Sequence, residues 1–199
     1  ILMNLKKRFE NKNLDESYFD KKVNQANEQL SFLSKTIDDF KEFYTISKEK
    51  EIFSVKDAIL NATTILSADL KSHNIDLETS FETFDEVKIF GVKSELSQIL
   101  IAIISNSIDV LKNIKNPEIQ IDIFSSSAEV IIKLADNGGG IKAKNLKKIF
   151  EPYFSTKEEG TGIGLYLAKM IIEESFGGKI LVENKKEGVL FSLFIEKAL

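Results

Sequence analysis

Six of the ten glycines in this chain of 199 residues lie between Leu134 and Leu165, in a stretch that reads LADNGGGIKAKNLKKIFEPYFSTKEEGTGIGL. They fall in two clusters joined by a segment with aromatic anchors. The first cluster, Asp136 to Gly140, follows directly on the apolar run Val130 to Ala135, and the second, Gly160 to Leu165, leads into Tyr166 to Ile172. Glycine is costly in ordered backbone and persists where the chain needs positive φ or a close approach by another group. The order is therefore strand, aspartate, glycine bend, and then a glycine-rich start to a helix. That order suits a nucleotide: a carboxylate accepts from an exocyclic amine, and the N–H groups of a helix start donate to phosphate oxygens. The familiar phosphate loops do not fit. G-x-x-x-x-G-K-[ST] is absent, and G-x-G-x-x-G fails because the residue three after Gly162 is Leu165.

The totals exclude several classes. With no cysteine, disulfides, zinc–thiolate sites and thiol catalysis are ruled out. Lys and Arg total 27 against 31 Asp and Glu, a net charge of −4, which argues against nonspecific nucleic-acid binding. No apolar run approaches the ~20 residues of a membrane span and no signal-peptide pattern opens the chain. This portion is expected to be cytoplasmic and without membrane contact, any anchor of a longer parent lying elsewhere. The chain opens on Ile1 rather than Met, as a fragment does.

Residues 1–50 hold no glycine or proline. Apolar residues at Phe19, Val23, Ala26, Leu30, Leu33, Ile37, Phe40 and Tyr44 alternate in steps of four and three, a heptad seam on one helix. Such a stripe must pack on other helices. Ile1 to Phe9 reads as a further helix and Asn11 to Asp15 as the connection, so two copies of the hairpin would make a four-helix bundle; docking of the seam on its own domain is the alternative. Residues 54–72 read as one helix capped by Ser54. Ile75, Leu77, Thr79 and Phe81 alternate as a strand, and Val87 to Phe90 is a second. A long helix capped by Ser94 runs to about Lys112, before Pro117. Alternation over 119–123 and 130–134 predicts paired antiparallel strands, and Val189 to Ile195 the last strand. The sum is an α+β fold, a two-layer α/β sandwich with a mixed sheet and helices on one face, preceded by a helical hairpin or coiled-coil segment.

Four motifs in order carry a resemblance. Ser94 to Leu111 (SELSQILIAIISNSIDVL), Asp136 to Gly140, Ile149 to Lys157 (IFEPYFSTK) and Gly160 to Leu165 (GTGIGL) resemble the N, first G, F and second G boxes of the ATP-binding domain of sensor histidine kinases. That superfamily is shared with DNA gyrase and MutL. The resemblance spans roughly residues 52–199. LSKTIDDFKEFYTISKEKEIF is similar to the second helix of a histidine kinase dimerisation domain and its exit. On this reading residues 1–50 are a partial dimerisation hairpin and residues 51–199 the ATP-binding catalytic domain.

The resemblance implies ATP and Mg²⁺ as cofactors, a homodimer through residues 1–50, and a response regulator receiver domain as the downstream partner. It implies that Asp136 accepts from the adenine amino group, that Gly138 and Gly140 let the backbone pass the base, and that Asn106 coordinates Mg²⁺. Asn106 otherwise bonds neighbouring backbone. Asp109 either supports the metal's water shell or is a solvated helix charge, and Lys157 either reaches a phosphate or is an ordinary lid lysine. Gly160, Thr161, Gly162, Ile163, Gly164 and Leu165 would form the phosphate-facing turn, with residues 152–161 a lid that is mobile until nucleotide binds. Phe150, Tyr153 and Phe154 are expected to pack the lid base. The implied reaction transfers the γ-phosphoryl of Mg-ATP to a histidine imidazole.

The family's acceptor histidine is missing from 1–50. The single histidine, His73, reads as a helix-end residue near the C-terminal dipole. ATP-hydrolysing relatives carry a glutamate base where this chain has Ala102, and many histidine kinases carry a polar residue there. A gyrase/MutL-type ATPase clamp and a nucleotide-sensing pseudokinase are the competing readings.

Overall fold

In the computed structural model, residues 1–44, 49–81, 87–157 and 160–197 are described. A first helix, α1 (Leu2–Glu10), is joined by a turn to a long second, α2 (Glu16–Tyr44). Asp15 starts α2 by accepting from the Tyr18 N–H at 2.8 Å, and Arg8 lies 3.8 Å over the Tyr18 ring. Along α2 the seam residues Phe19, Leu30, Leu33 and Ile37 are all exposed, so this part of the stripe is not docked on the rest of the chain. The side chains of Phe40 and Tyr44, and the exit over 45–48, lie outside the described residues.

The rest is a sandwich. After β1 (Glu51–Ser54) come α3 (Val55–Ile65), α4 (Ser67–Ser72), β2 (Asp76–Phe81), β3 (Lys88–Gly91) and α5 (Lys93–Leu111). There follow β4 (Glu118–Ser125), β5 (Glu129–Asp136), α6 (Ala143–Leu146), α7 (Gly164–Glu174), β6 (Lys179–Asn184) and β7 (Val189–Glu196). The five-stranded sheet has the order β2-β4-β5-β7-β6. It is mixed: β2 runs parallel to β4, and every other pair is antiparallel. β1 and β3 form a separate antiparallel ribbon. β1 has too short an apolar run to be visible in sequence; its partner, more than thirty residues on, defines it.

α5 is the spine. It packs between α3 and α7 and over β4 and β5. Leu96, Ile99, Leu100, Ile103 and Ile104 are wholly buried, each contributing about 1.5–3 kcal/mol of transfer free energy. Beneath them lie the inward residues of the alternating strands, Ile119, Ile121 and Ile123 on β4 and Val130, Ile132 and Leu134 on β5. Against expectation, α5 is long and apolar enough by length and composition to cross a membrane. Here that apolar surface is the core of the sandwich.

Two helix boundaries differ from the sequence reading. Residues 54–72 form two helices, broken at Leu66 just after Thr63, whose hydroxyl bonds back to the carbonyls of Ile59 and Leu60, a pattern that bends helices. Neither Ser54 nor Ser94 caps a helix with its side chain: Val92 precedes α5, which already includes Ser94. His73 sits where expected, at the end of α4, its Nδ1 donating to the Asp69 carbonyl at 2.8 Å.

Candidate nucleotide site

α5 brings three polar side chains to one end of the sandwich. Ser107 follows Ile103 by one helical turn on the buried stripe and is 5 % exposed. Its hydroxyl donates to Asp136 Oδ2 at 2.9 Å, across from the end of β5. The other carboxylate oxygen, Oδ1, accepts from the Gly138 N–H at 2.9 Å. Each oxygen keeps a second lone pair, so Asp136 is oriented but not saturated as an acceptor. The Asp-Asn-Gly bend and a ligand-facing carboxylate are therefore compatible.

Two amides clamp the glycine loop that follows. Asn137 accepts from the Glu118 N–H at 3.0 Å and donates to the Asn116 carbonyl at 2.8 Å. From β6, Asn184 accepts from the Ile141 N–H at 2.8 Å and donates to the Ile141 carbonyl at 2.7 Å. Between them, Gly138 faces Val110 of α5, and Gly140 takes a φ of +84° beside the Asn184 amide. Gly188 passes so close to the Asp136 carbonyl that a Cβ there would lie 1.7 Å from its oxygen. Ser107, Asn137, Asn184 and Gly188 were not singled out from sequence. Only Ser107 left a signal, a polar residue at the next turn of an otherwise apolar stripe.

Asn106 and Asp109 lie one turn apart on the flank of α5. The Asn106 amide donates to the Ala102 carbonyl at 2.8 Å, which turns its oxygen outward. That oxygen accepts from Lys157 Nζ at 2.8 Å, and Asp109 Oδ2 accepts from the same ammonium at 2.6 Å. Asp109 Oδ1 accepts from Lys112 at 2.6 Å. Burial acts to raise the Asp109 pKa, but the hydrogen bonds and charges of Lys112 and Lys157 outweigh it and hold the carboxyl below its ordinary value. Asp109 is thus ion-paired from two sides at a partly exposed position, and Asn106 uses both halves of its amide.

These oxygens fit a divalent ion. They already converge on one cation, and an amide and a carboxylate oxygen suit Mg²⁺, which takes few protein ligands and completes its shell with phosphates and water. Among the described residues no cluster of three or more His, Asp or Glu could cage a metal by itself. A nucleotide's phosphates are the natural remaining ligands.

The aromatic segment follows the first glycine loop. Phe150 packs edge-on against Phe191 of β7, with ring centroids 6.4 Å apart, and Phe154 is partly buried against the core. Tyr153 departs from expectation. It is 63 % exposed with a φ of +64°, because its N–H is used to bond the Gly162 carbonyl at 3.1 Å, and the turn this needs points the ring outward. Gly162 has a φ of +68°, and a Cβ there would fall 2.5–2.6 Å from the backbone of Tyr153 and Phe154. Only glycine fits. Thr161 and Ile163 are buried, Leu165 packs on the core, and Gly164 begins α7. A methyl placed on Gly164 would lie 3.7 Å from Ala102 Cβ, so α5 and α7 meet where Ala102 stands. Gly160 lies against the Ser155 hydroxyl. The lid residues 158–159 are outside the described residues.

A carboxylate at a strand end, an oxygen pair holding a cation and a glycine-rich helix start, all gathered around one long helix, define a nucleotide-binding α/β sandwich. Residues 91–199, more than half of the chain, match the family described as histidine kinase-, DNA gyrase B-, and HSP90-like ATPase, and the chain belongs to it. Among its relatives, sporulation kinase A of Bacillus subtilis is 31% identical over 148 residues, 74% of this chain and 24% of that protein. The sensor histidine kinase ZraS of Salmonella typhimurium is 32% identical over 145 residues, 71% of this chain and 30% of that protein. The catalytic domain of histidine kinase ThkA superposes with a TM-score of 0.68 at 29% identity, covering 75% of this chain and 96% of that domain. ThkA solved in complex with the response regulator protein TrrA matches 99% of this chain and 55% of its own, at 25% identity and a TM-score of 0.70. The chain spans about a third or less of the length of the curated relatives.

Proposed function

We propose that this chain is the ATP-binding kinase core of a two-component sensor histidine kinase. It would transfer the γ-phosphoryl of Mg-ATP to a histidine on a dimerisation helix, for relay to a response regulator receiver domain. The observation that carries the reading is that one stretch of α5, residues 106–109, holds both Ser107, which bonds Asp136 at the end of β5, and the Asn106 and Asp109 oxygens that share one cation. On this reading a base-reading carboxylate and a cation-holding pair lie at the same end of α5.

In this reading Asp136 accepts from the adenine amino group, its position set by Ser107 and Gly138. Gly138 and Gly140 leave room for the base. The N–H groups at the start of α7, reached through Gly160 to Leu165, take the phosphates, since the first turn of a helix has no internal partners for them. Asn106 would hold Mg²⁺ with Asp109 beside it; when bound, the ion neutralises charge developing on the phosphoryl oxygens. The protein supplies positioning and electrostatics, as phosphoryl transfer requires. Residues 1–50 would dimerise through the exposed α2 seam, and residues 51–199 would be the catalytic unit.

A second reading, a nucleotide-sensing pseudokinase, is favoured by Ala102, whose methyl faces Gly164 where ATP-hydrolysing relatives carry a glutamate base. Supplying an acceptor-bearing first helix in trans with labelled ATP separates the two. Acid-labile phosphate on that helix supports the kinase. Tight ATP binding with none transferred supports the pseudokinase.

A further inference from the structure

Asn184 stands at the end of β6, the edge strand of the sheet, yet its amide serves a residue 43 positions away in the chain. An asparagine beside a turn commonly bonds the backbone of that turn. Here the β6–β7 turn closes without it, by the Lys185 N–H donating to the Gly188 carbonyl at 2.8 Å. Both halves of the Asn184 amide go instead to Ile141, accepting from its N–H at 2.8 Å and donating to its carbonyl at 2.7 Å. Ile141 directly follows Gly140, and its side chain packs on the core. The first glycine loop therefore has a fixed exit. The same hairpin holds the rest of the loop: the Gly139 N–H donates to the Glu187 carbonyl at 2.9 Å, and Gly188 lies against the Asp136 carbonyl. Gly139 and Gly140, at φ values of +89° and +84°, have no side chains with which to hold the loop themselves, so its shape depends on these tethers.

We propose that Asn184 is a positioning residue for base recognition. It acts through Ile141 and the glycine loop to keep the Gly138 N–H on Asp136 Oδ1, and so sets the direction of the lone pairs that Asp136 has left for an amine. That role rests on Asp136 being the adenine acceptor. It separates two substitutions by their chemistry. Alanine removes both bonds. Aspartate keeps an acceptor for the Ile141 N–H, but as a carboxylate it sets its second oxygen against the Ile141 carbonyl. Once protonated, it donates an O–H to that carbonyl and restores the pair. The clipped loop thus favours the neutral form of the introduced carboxyl, raises its pKa, and is regained as pH falls.

The test is made on the full chain, by calorimetric titration of Mg-ATP into the wild type, Asn184→Ala and Asn184→Asp from about pH 7.5 down to about pH 5, a range that lies above the ordinary aspartate pKa. Asn184→Ala should bind roughly fivefold more weakly than the wild type at every pH, the scale of one net hydrogen bond. Asn184→Asp should be at least as weak at the upper end and should narrow the gap to the wild type at least ~twofold by the lower end. Equal affinities for all three proteins across the range, with only the melting temperatures lowered, would overturn the positioning role and leave the nucleotide reading standing. A wild type without affinity for Mg-ATP would overturn both.

Discussion

The Ser107 hydroxyl and the Asp136 carboxylate meet at 2.9 Å, joining the central helix to the end of a strand 29 residues further along the chain. This bond fixes which way the carboxylate faces. Removing it with Ser107→Ala should leave the fold intact, because alanine suits a buried helical position. Asp136 would then be held from one side only. A net hydrogen bond of about 1 kcal/mol predicts roughly a fivefold loss of ATP affinity, read by calorimetry.

Gly188→Ala should act on stability. Its methyl would collide with the Asp136 carbonyl, and backbone cannot yield as a flexible side chain does. A cost of about 3 kcal/mol is expected, on the scale of overpacking, and would appear as a lower urea midpoint at unchanged m-value.

The boxes were legible in the sequence because their residue types announce their chemistry. Asp136, Asn106 and the second glycine cluster have few other reasons to stand in that order, and the structure gathers them around α5. What supports them was not legible. Nothing in the sequence marks Asn137 or Asn184, because their clamping role exists only through Glu118, Asn116 and Ile141, distant in the chain. Gly188 looks like any hairpin glycine until β5 is laid beside it. Tyr153 goes the other way: an aromatic in this segment is expected to pack the lid base, whereas its backbone turns it outward to reach Gly162. The periodicity of α2 is plain in the sequence, and Phe19, Leu30, Leu33 and Ile37 stand exposed along it.

That seam gives a third expectation. Leu30→Glu with Leu33→Glu should weaken self-association by at least ~100-fold, since each leucine contributes about 1.5–3 kcal/mol when buried in a bundle. Sedimentation velocity would show a monomer where the parent chain is dimeric. A parent chain that is monomeric at high concentration would contradict dimerisation through residues 1–50.

Ala102 sets the fourth. With a methyl where a water-activating glutamate would stand, the chain should release phosphate from ATP no faster than the uncatalysed background. Phosphate release measured with the purified chain would check this. Fast turnover, independent of any helical bundle, would point instead to an ATPase clamp.

The central claim is that Asp136 reads adenine, and titrating Mg-ATP into the wild-type chain and into Asp136→Asn by calorimetry tests it most directly. An asparagine has one acceptor oxygen for the donors that now share two, and its NH₂ must face a donor. The account predicts Mg²⁺-dependent binding by the wild type and a loss of at least ~30-fold in the variant, the scale of a hydrogen bond to a charged group with its partners left unpaired. Equal affinity in the two proteins would contradict it.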